Sequence, residues 1–215
     1  MKKSYILLGI IIIVFILLIL NFKNSNSELA TILNRKPEIP NNIYVKEEMV
    51  NNANTTTITN TYRKDKFIYQ HIENDDSTAN QDILWDFEAK KEIIIDNLSK
   101  TIDVIKISDD ELSPLECVLV QFNENLNTYK YDRKEIINEN NCIKFHSTKD
   151  SNNRTYFYVD ADTGLLYQKE EGQYYNSTFT PYYKYNYTYS YDTVTDEDIF
   201  VFNIENYPDY IYTEE

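Results

Sequence analysis

The chain is poor in the residues that most often carry chemistry. Its 215 residues include three glycines, two histidines, two cysteines and one tryptophan. With only Gly9, Gly164 and Gly172 available, no glycine-rich phosphate loop can be written anywhere. His71 and His146 lack neighbours at metal-ligand spacing, which argues against a zinc site, and neither metal nor cofactor is expected. Positive charge is scarce too: 21 Lys and Arg face 35 Asp and Glu, a formal net charge of −14. Nucleic acids and anionic membrane surfaces need basic patches, so neither is an expected partner of such a chain. Solubility through net charge is the plainer reading of the acidity.

Long apolar runs are also missing, with one exception. Residues 4–22, from Ser4 to Phe22, hold no charge, and about 20 apolar residues suffice for a helix to cross a ~30 Å hydrocarbon core. Lys2 and Lys3 precede the run, which places the amino end inside and the rest of the chain outside. The run exceeds the apolar core of a secretory signal and no Ala-x-Ala pair follows it, so a retained single-pass signal anchor is expected. The first cysteine is Cys117, which excludes a lipoprotein signal. The expected layout is a cytoplasmic end at 1–3, the membrane helix at 4–22, a tether at 23–26, one extracytoplasmic domain at 27–206 and an irregular tail at 207–215.

What is abundant points to strands. Twenty Tyr and ten Phe accompany much Ile and Thr, and with so few glycines the turns must lean on Asn and Asp. Ser27 can cap a brief helix carrying Leu29, Ile32 and Leu33. Strand patterns then recur about every ten residues, at 44–50, 55–62, 67–72, 83–87, 93–96 and 102–107. In the last of these neither alternating face is purely polar, so burial on both sides is expected. Ser113, Pro114 and Glu116 form a capping box, and Leu115, Val118, Leu119, Phe122 and Leu126 make one helical stripe. Further strands are expected at 129–137, 142–146, 155–159 and 165–169. A Tyr-rich stretch at 174–191 follows, broken by Pro181, with a short last strand at 200–204.

Few motifs suggest a reaction. Asp162-Thr163-Gly164 matches the aspartic-protease triplet, but it occurs once, and between two strand patterns it reads as a hairpin turn. Asp160 and Asp162 echo the start of a calcium loop whose later ligands are missing. Cys142 and His146 would share a strand face as a nucleophile pair, without a third orienting group or an oxyanion hole. Cys117 and Cys142, both expected outside, permit one disulfide. No catalytic residue is assigned, and the chain is read as no enzyme.

The order of elements carries a resemblance. A short helix, about six antiparallel strands, a Ser-Pro-Leu helix and a second strand set resemble the LolA-like superfamily of lipoprotein carriers. The local match runs from Cys142 through Phe145 and the Asp160–Leu165 hairpin to Gln168 and Lys169. The resemblance implies a mainly β (α+β) fold, a curved, antiparallel, incomplete barrel under an amphipathic lid helix. The retained anchor departs from the soluble shuttles and is closer to membrane-attached Gram-positive relatives such as clostridial germination lipoproteins. Those relatives carry a lipidated cysteine that is absent here. Under this reading Leu115, Val118, Leu119 and Phe122 close a cavity that Phe67, Trp85, Phe87, Phe145 and Tyr158 line. The expected function is binding of a lipid, an acyl chain or a lipidated or apolar ligand at the cell envelope. The alternative is a scaffold that engages a cell-envelope enzyme or sensor through exposed tyrosines of 174–191, such as Tyr182, Tyr183 and Tyr185.

Overall fold

The computed structural model describes residues 27–34, 39–75, 80–108, 115, 128–147 and 152–214. The expected membrane helix lies outside these residues, as does the lid helix apart from Leu115. No helix among the described residues is long and apolar enough to cross a membrane.

The fold is one open, curved sheet of twelve strands with a short helix against it. A first meander runs β1 (Asn42–Asn51), β2 (Thr56–Lys64), β3 (Phe67–Asn74), β4 (Gln81–Asp86), β5 (Lys91–Asp96) and β6 (Thr101–Lys106). A second runs β7 (Tyr129–Ile137), β8 (Asn140–Ser147), β9 (Asn153–Asp160), β10 (Leu166–Tyr175) and β11 (Thr178–Tyr191). The two are joined where β1 pairs antiparallel with β11, from Ile43 opposite Tyr191 to Asn51 opposite Tyr183. A last strand, β12 (Ile211–Glu214), completes the sheet order β12-β6-β5-β4-β3-β2-β1-β11-β10-β9-β8-β7.

Scarce glycine is replaced in the turns. Among the described residues nine non-glycine positions take positive φ, including Asn54, Asp65, Asn138, Asn176 and Asp192, so Asn and Asp do carry much of the left-handed geometry. Both residues of the Asn138-Glu139 and Asn176-Ser177 turns have positive φ, which matches the right-handed twist of a two-residue hairpin. Two turns repeat one device: Asp86 Oδ1 accepts from the backbone N–H of Glu88 and Ala89, and Asp96 Oδ1 from those of Leu98 and Ser99. Lys90 and Lys100 then close the turns at positive φ.

The C-terminal segment and Pro181 depart from expectation. Residues 200–203 are irregular and a 3-10 turn follows at Ile204–Asn206, so the strand expected at 200–204 does not form. The tail expected to be irregular instead contributes β12, parallel to β6 and the single parallel pairing among the described residues. Pro181 does not break its strand. β1 ends opposite Tyr183, so at 178–182 β11 is an edge, where a residue without N–H costs no ladder bond. There the chain crowds Gly172: a Cβ at that position would lie 2.2 Å from the Thr180 carbonyl oxygen, beside the bulge between Glu171 and Gly172.

The concave face carries the main core. Ile43 and Val45 of β1, Ile68 of β3, Trp85 of β4, Ile143 and Phe145 of β8, and Phe157 and Val159 of β9 belong to one cluster. Helix α1 (27–33) inserts Leu29, Ile32 and Leu33 into it, the offsets that align on one helical face. Each such buried side chain contributes about 1.5–3 kcal/mol before ordering entropy is subtracted. Phe145 and Phe157 stack at 5.4 Å, with Tyr129 edge-on to both.

Candidate functional site

Register sends one side of β3–β6 outward. Tyr69 pairs with Leu84, Leu84 with Ile93, and Ile93 with Val104, so these side chains share the face opposite the main core. Together with Ile95 and Ile102 they form a second apolar cluster. The chain after β11 returns as a strap across this face. Phe200, Phe202, Tyr207 and Tyr210 pack on the cluster, and Phe200 stacks on Tyr69 at 5.5 Å.

Polar contacts fix the strap at both ends. At its start Lys64 pairs with Asp196, and Asp198 accepts from the N–H and hydroxyl of Thr195. Those bonds hold the exposed Asp198 carboxyl below its usual range. Near its end Tyr210 donates to Asn97 Oδ1 at 2.9 Å, and Asn97 Nδ2 donates to Asp82 Oδ2 at 3.0 Å. Asp82 Oδ1 also accepts from Tyr69 OH at 2.7 Å and lies 2.6 Å from His71 Nδ1, whose Nε2 is 2.8 Å from Glu73. Burial alone would lower the His71 pKa, but hydrogen bonds and charge from Asp82 and Glu73 outweigh it and raise the value. Burial and the Asp82 hydrogen bond raise that of Tyr69.

Between these two anchorages Phe200 and Phe202 rest on the cluster, and an open groove runs beside them. This groove has a volume of about 460 Å³, within the range typical of small-ligand pockets. Phe67, Leu84 and Ile93 form its floor, Ile199 to Phe202 its strap wall, and Lys64, Asp65, Asp86 and Asp196 its polar rim.

The outer face of the second meander is different. Lys144, buried to 9% exposure, donates from Nζ to Tyr158 OH at 2.6 Å, and Tyr158 OH donates to Glu170 Oε2 at 2.8 Å. Burial lowers the Lys144 pKa, opposed by the charge of Glu170. His146 Nδ1 lies 2.9 Å from Asp132, and Lys144 stands between His146 and Cys142 on that face. Cys142 is a free cysteine whose thiol is pushed up to about 11 by burial and by Asp160, the reverse of an activated nucleophile. Cys117, its expected disulfide partner, lies outside the described residues. Asp160 Oδ1 accepts from the N–H groups of Asp162 and Thr163 and from the Thr163 hydroxyl, so Asp162-Thr163-Gly164 sits in a self-bonded hairpin turn.

The expected cavity residues separate onto two faces. Trp85, Leu115 and Phe145 are buried in the concave core, with Phe87 packed against it. Phe67 points to the other side and lines the strap groove, because its neighbour Ile68 takes the inward position opposite Trp85. Tyr158 also lies outward, in the cluster with Cys142 and Tyr156. Val118, Leu119 and Phe122 lie outside the described residues. Sequence reasoning missed Leu84, Ile93 and Ile199. The available signal was the adjacent apolar pair Leu84-Trp85 and the run Ile93-Ile94-Ile95, which alternation cannot assign to one face.

No protein-family model matches the chain, and no curated protein matches it. Solved structures do. An uncharacterised conserved protein from Thermus thermophilus aligns at 6% identity over 89% of this chain and 99% of its own, with a TM-score of 0.54. MucB aligns at 9% identity over 83% of this chain and a TM-score of 0.50, and the Pseudomonas aeruginosa MucA/MucB complex gives 12% and 0.50. The chain spans 63% of the MucB chain. A LolA superfamily protein from Nitrosomonas europaea aligns with a TM-score of 0.25, at which no structural equivalence follows (10% identity, 82% of this chain and 97% of its own). At these identities the first two likenesses establish a shared fold and nothing finer.

Proposed function

We propose that the protein is a non-enzymatic binding module, held at the outer face of a cell membrane by residues 4–22, that takes an apolar ligand beside its C-terminal strap. One observation carries this reading: the strap is fastened at both ends yet leaves an apolar groove of about 460 Å³ between them. Apolar surface left open to water costs about 25 cal/mol per Å², so an acyl chain or apolar side chain entering the groove recovers that energy. The sequence resemblance to lipoprotein carriers agrees with an apolar ligand. The anchor makes the module stationary where a carrier would leave the membrane.

A photoreactive benzoylphenylalanine in place of Leu84 tests this in the full-length protein in its membrane. The expected outcome is a ligand adduct at position 84 that does not form at the exposed Leu98, and equal labelling at both would refute the groove. Attachment is tested by alkaline carbonate extraction, which should leave the protein with the membrane fraction. Its release would remove the anchor from the proposal.

A second reading, a scaffold for a cell-envelope protein, draws on the fold shared with MucB, which has been solved in complex with MucA. Tyr182 and Tyr183 are exposed on opposite sides of β11 and suit a contact surface. Unchanged partner recovery after Tyr182→Ala and Tyr183→Ala would count against that surface.

A further inference from the structure

We infer that the occupant of the strap groove is a polypeptide segment with apolar residues flanked by Lys or Arg, and not an anionic lipid; the inference rests on the groove proposed above. Two independent features of the groove lead there. The first is charge. Its rim holds Asp65, Asp86 and Asp196 against Lys64 alone, and Lys64 is already paired with Asp196. The strap adds to the imbalance: from residue 185 to residue 215 the chain has no Lys, Arg or His, and Glu197 and Asp198 follow Asp196 directly in sequence. Lys66, next to Asp65, is exposed and does not line the groove. A carboxylate or phosphate headgroup would meet like charge at this mouth, whereas a cationic flank would meet Asp65 and Asp86; Lys91, opposite Asp86 in the strand pair, is bonded to Glu214.

The second feature is backbone. No backbone hydrogen bond is made by Phe200 to Phe202 among the described residues, and these residues line one side of the groove. Backbone donors and acceptors seek partners, and another peptide backbone supplies both kinds. An acyl chain can satisfy neither. A peptide with apolar side chains facing Phe67, Leu84 and Ile93 would therefore use the apolar floor, the acidic rim and the unbonded backbone of Phe200 to Phe202 beside them.

The test uses the full-length protein in phosphatidylcholine nanodiscs and three fluorescein-labelled peptides that share a Phe-Leu-Phe centre. Their flanks are Lys, Ser or Glu, and binding is read by fluorescence anisotropy against empty nanodiscs. The Lys-flanked peptide should bind at least about tenfold more tightly than the Glu-flanked one. The preference should shrink several-fold at about 0.5 M salt, because exposed charges are screened. Asp65→Asn with Asp86→Asn should abolish the preference. Asn keeps the side-chain oxygen that organises the turn after position 86, and it tolerates the positive φ at position 65. Equal binding of all three peptides, lost in Leu84→Asp, would overturn the charge inference and leave the groove standing. Lys-peptide binding that survives both variants would place it elsewhere on an acidic surface and overturn the inference. Sodium dodecanoate displacing the Lys peptide as effectively as unlabelled peptide does would replace it with an anionic lipid. Binding by none of the peptides would overturn it too; the Leu84 crosslinking outcome then decides separately whether the groove holds any ligand.

Discussion

The two faces of the same sheet solve burial in different ways. On the concave side, Leu33, Ile68, Phe145, Val159 and Leu166 are all under 2% exposed, and α1 fills the curvature against them. On the outer side of β3–β6, Ile95 and Ile102 are as buried as these, while Leu84 and Ile93 floor a groove beside the strap. The inner face has the packing expected of a folding core. The outer face has an apolar floor, a cover made of irregular chain and a groove beside it. The core against α1 and the groove proposed to hold a ligand thus lie on opposite faces of the sheet, although both faces are apolar.

Phe145→Ala should break the inner face and have the largest effect, a loss of about 3–5 kcal/mol read by urea unfolding. Leu84→Ala should cost only about 2 kcal/mol, the low end for such a truncation, because it enlarges a space that already exists. Equal losses at the two positions would mean that the faces are packed alike and would dissolve the contrast.

Asp82→Ala addresses the cover. Tyr69, His71 and Asn97 would lose their shared acceptor, a cost of about 1–3 kcal/mol. Limited proteolysis should then cut within 195–210 faster, with the concave core still protected. Uniform digestion would show that the strap unfolds only with the whole domain.

The smallest effect is pH-dependent. The folded-state pKa of His71 lies above its ordinary 6.5, so the folded protein holds this proton more tightly than the unfolded chain does. Its stabilisation is complete below about pH 6.5 and is lost as pH rises through the higher folded value. His71→Gln should therefore lower the unfolding midpoint at about pH 5.5 and have a smaller effect at about pH 8.5. A pH-independent difference would mean that the contact with Asp82 does not depend on charge.

How much of this could be read from the chain varies by element. α1 was legible because Leu29, Ile32 and Leu33 sit at helical spacing and are buried as that spacing demands. The strands of both meanders were legible from β-branched and aromatic runs between Asn and Asp turns. Phe67 was not assignable, since one step of register decides its face, and only the pairing of Ile68 with Trp85 sets that register. Pro181 was misleading because whether a proline interrupts a strand depends on the neighbour it lacks.

The sequence by itself determined an acidic, strand-rich chain with little reactive chemistry and one apolar run long enough to anchor it, because composition and local periodicity need no partner to be read. Only the tertiary structure decided that residues 195–214 return across β3–β6, that β12 adds to β6 in parallel, and that the strap leaves a groove. Those features depend on contacts between residues more than a hundred positions apart, such as Lys64 with Asp196 and Asn97 with Tyr210. No local pattern encodes which distant surface a segment will cover; that is settled by which apolar face remains open once the sheet has formed.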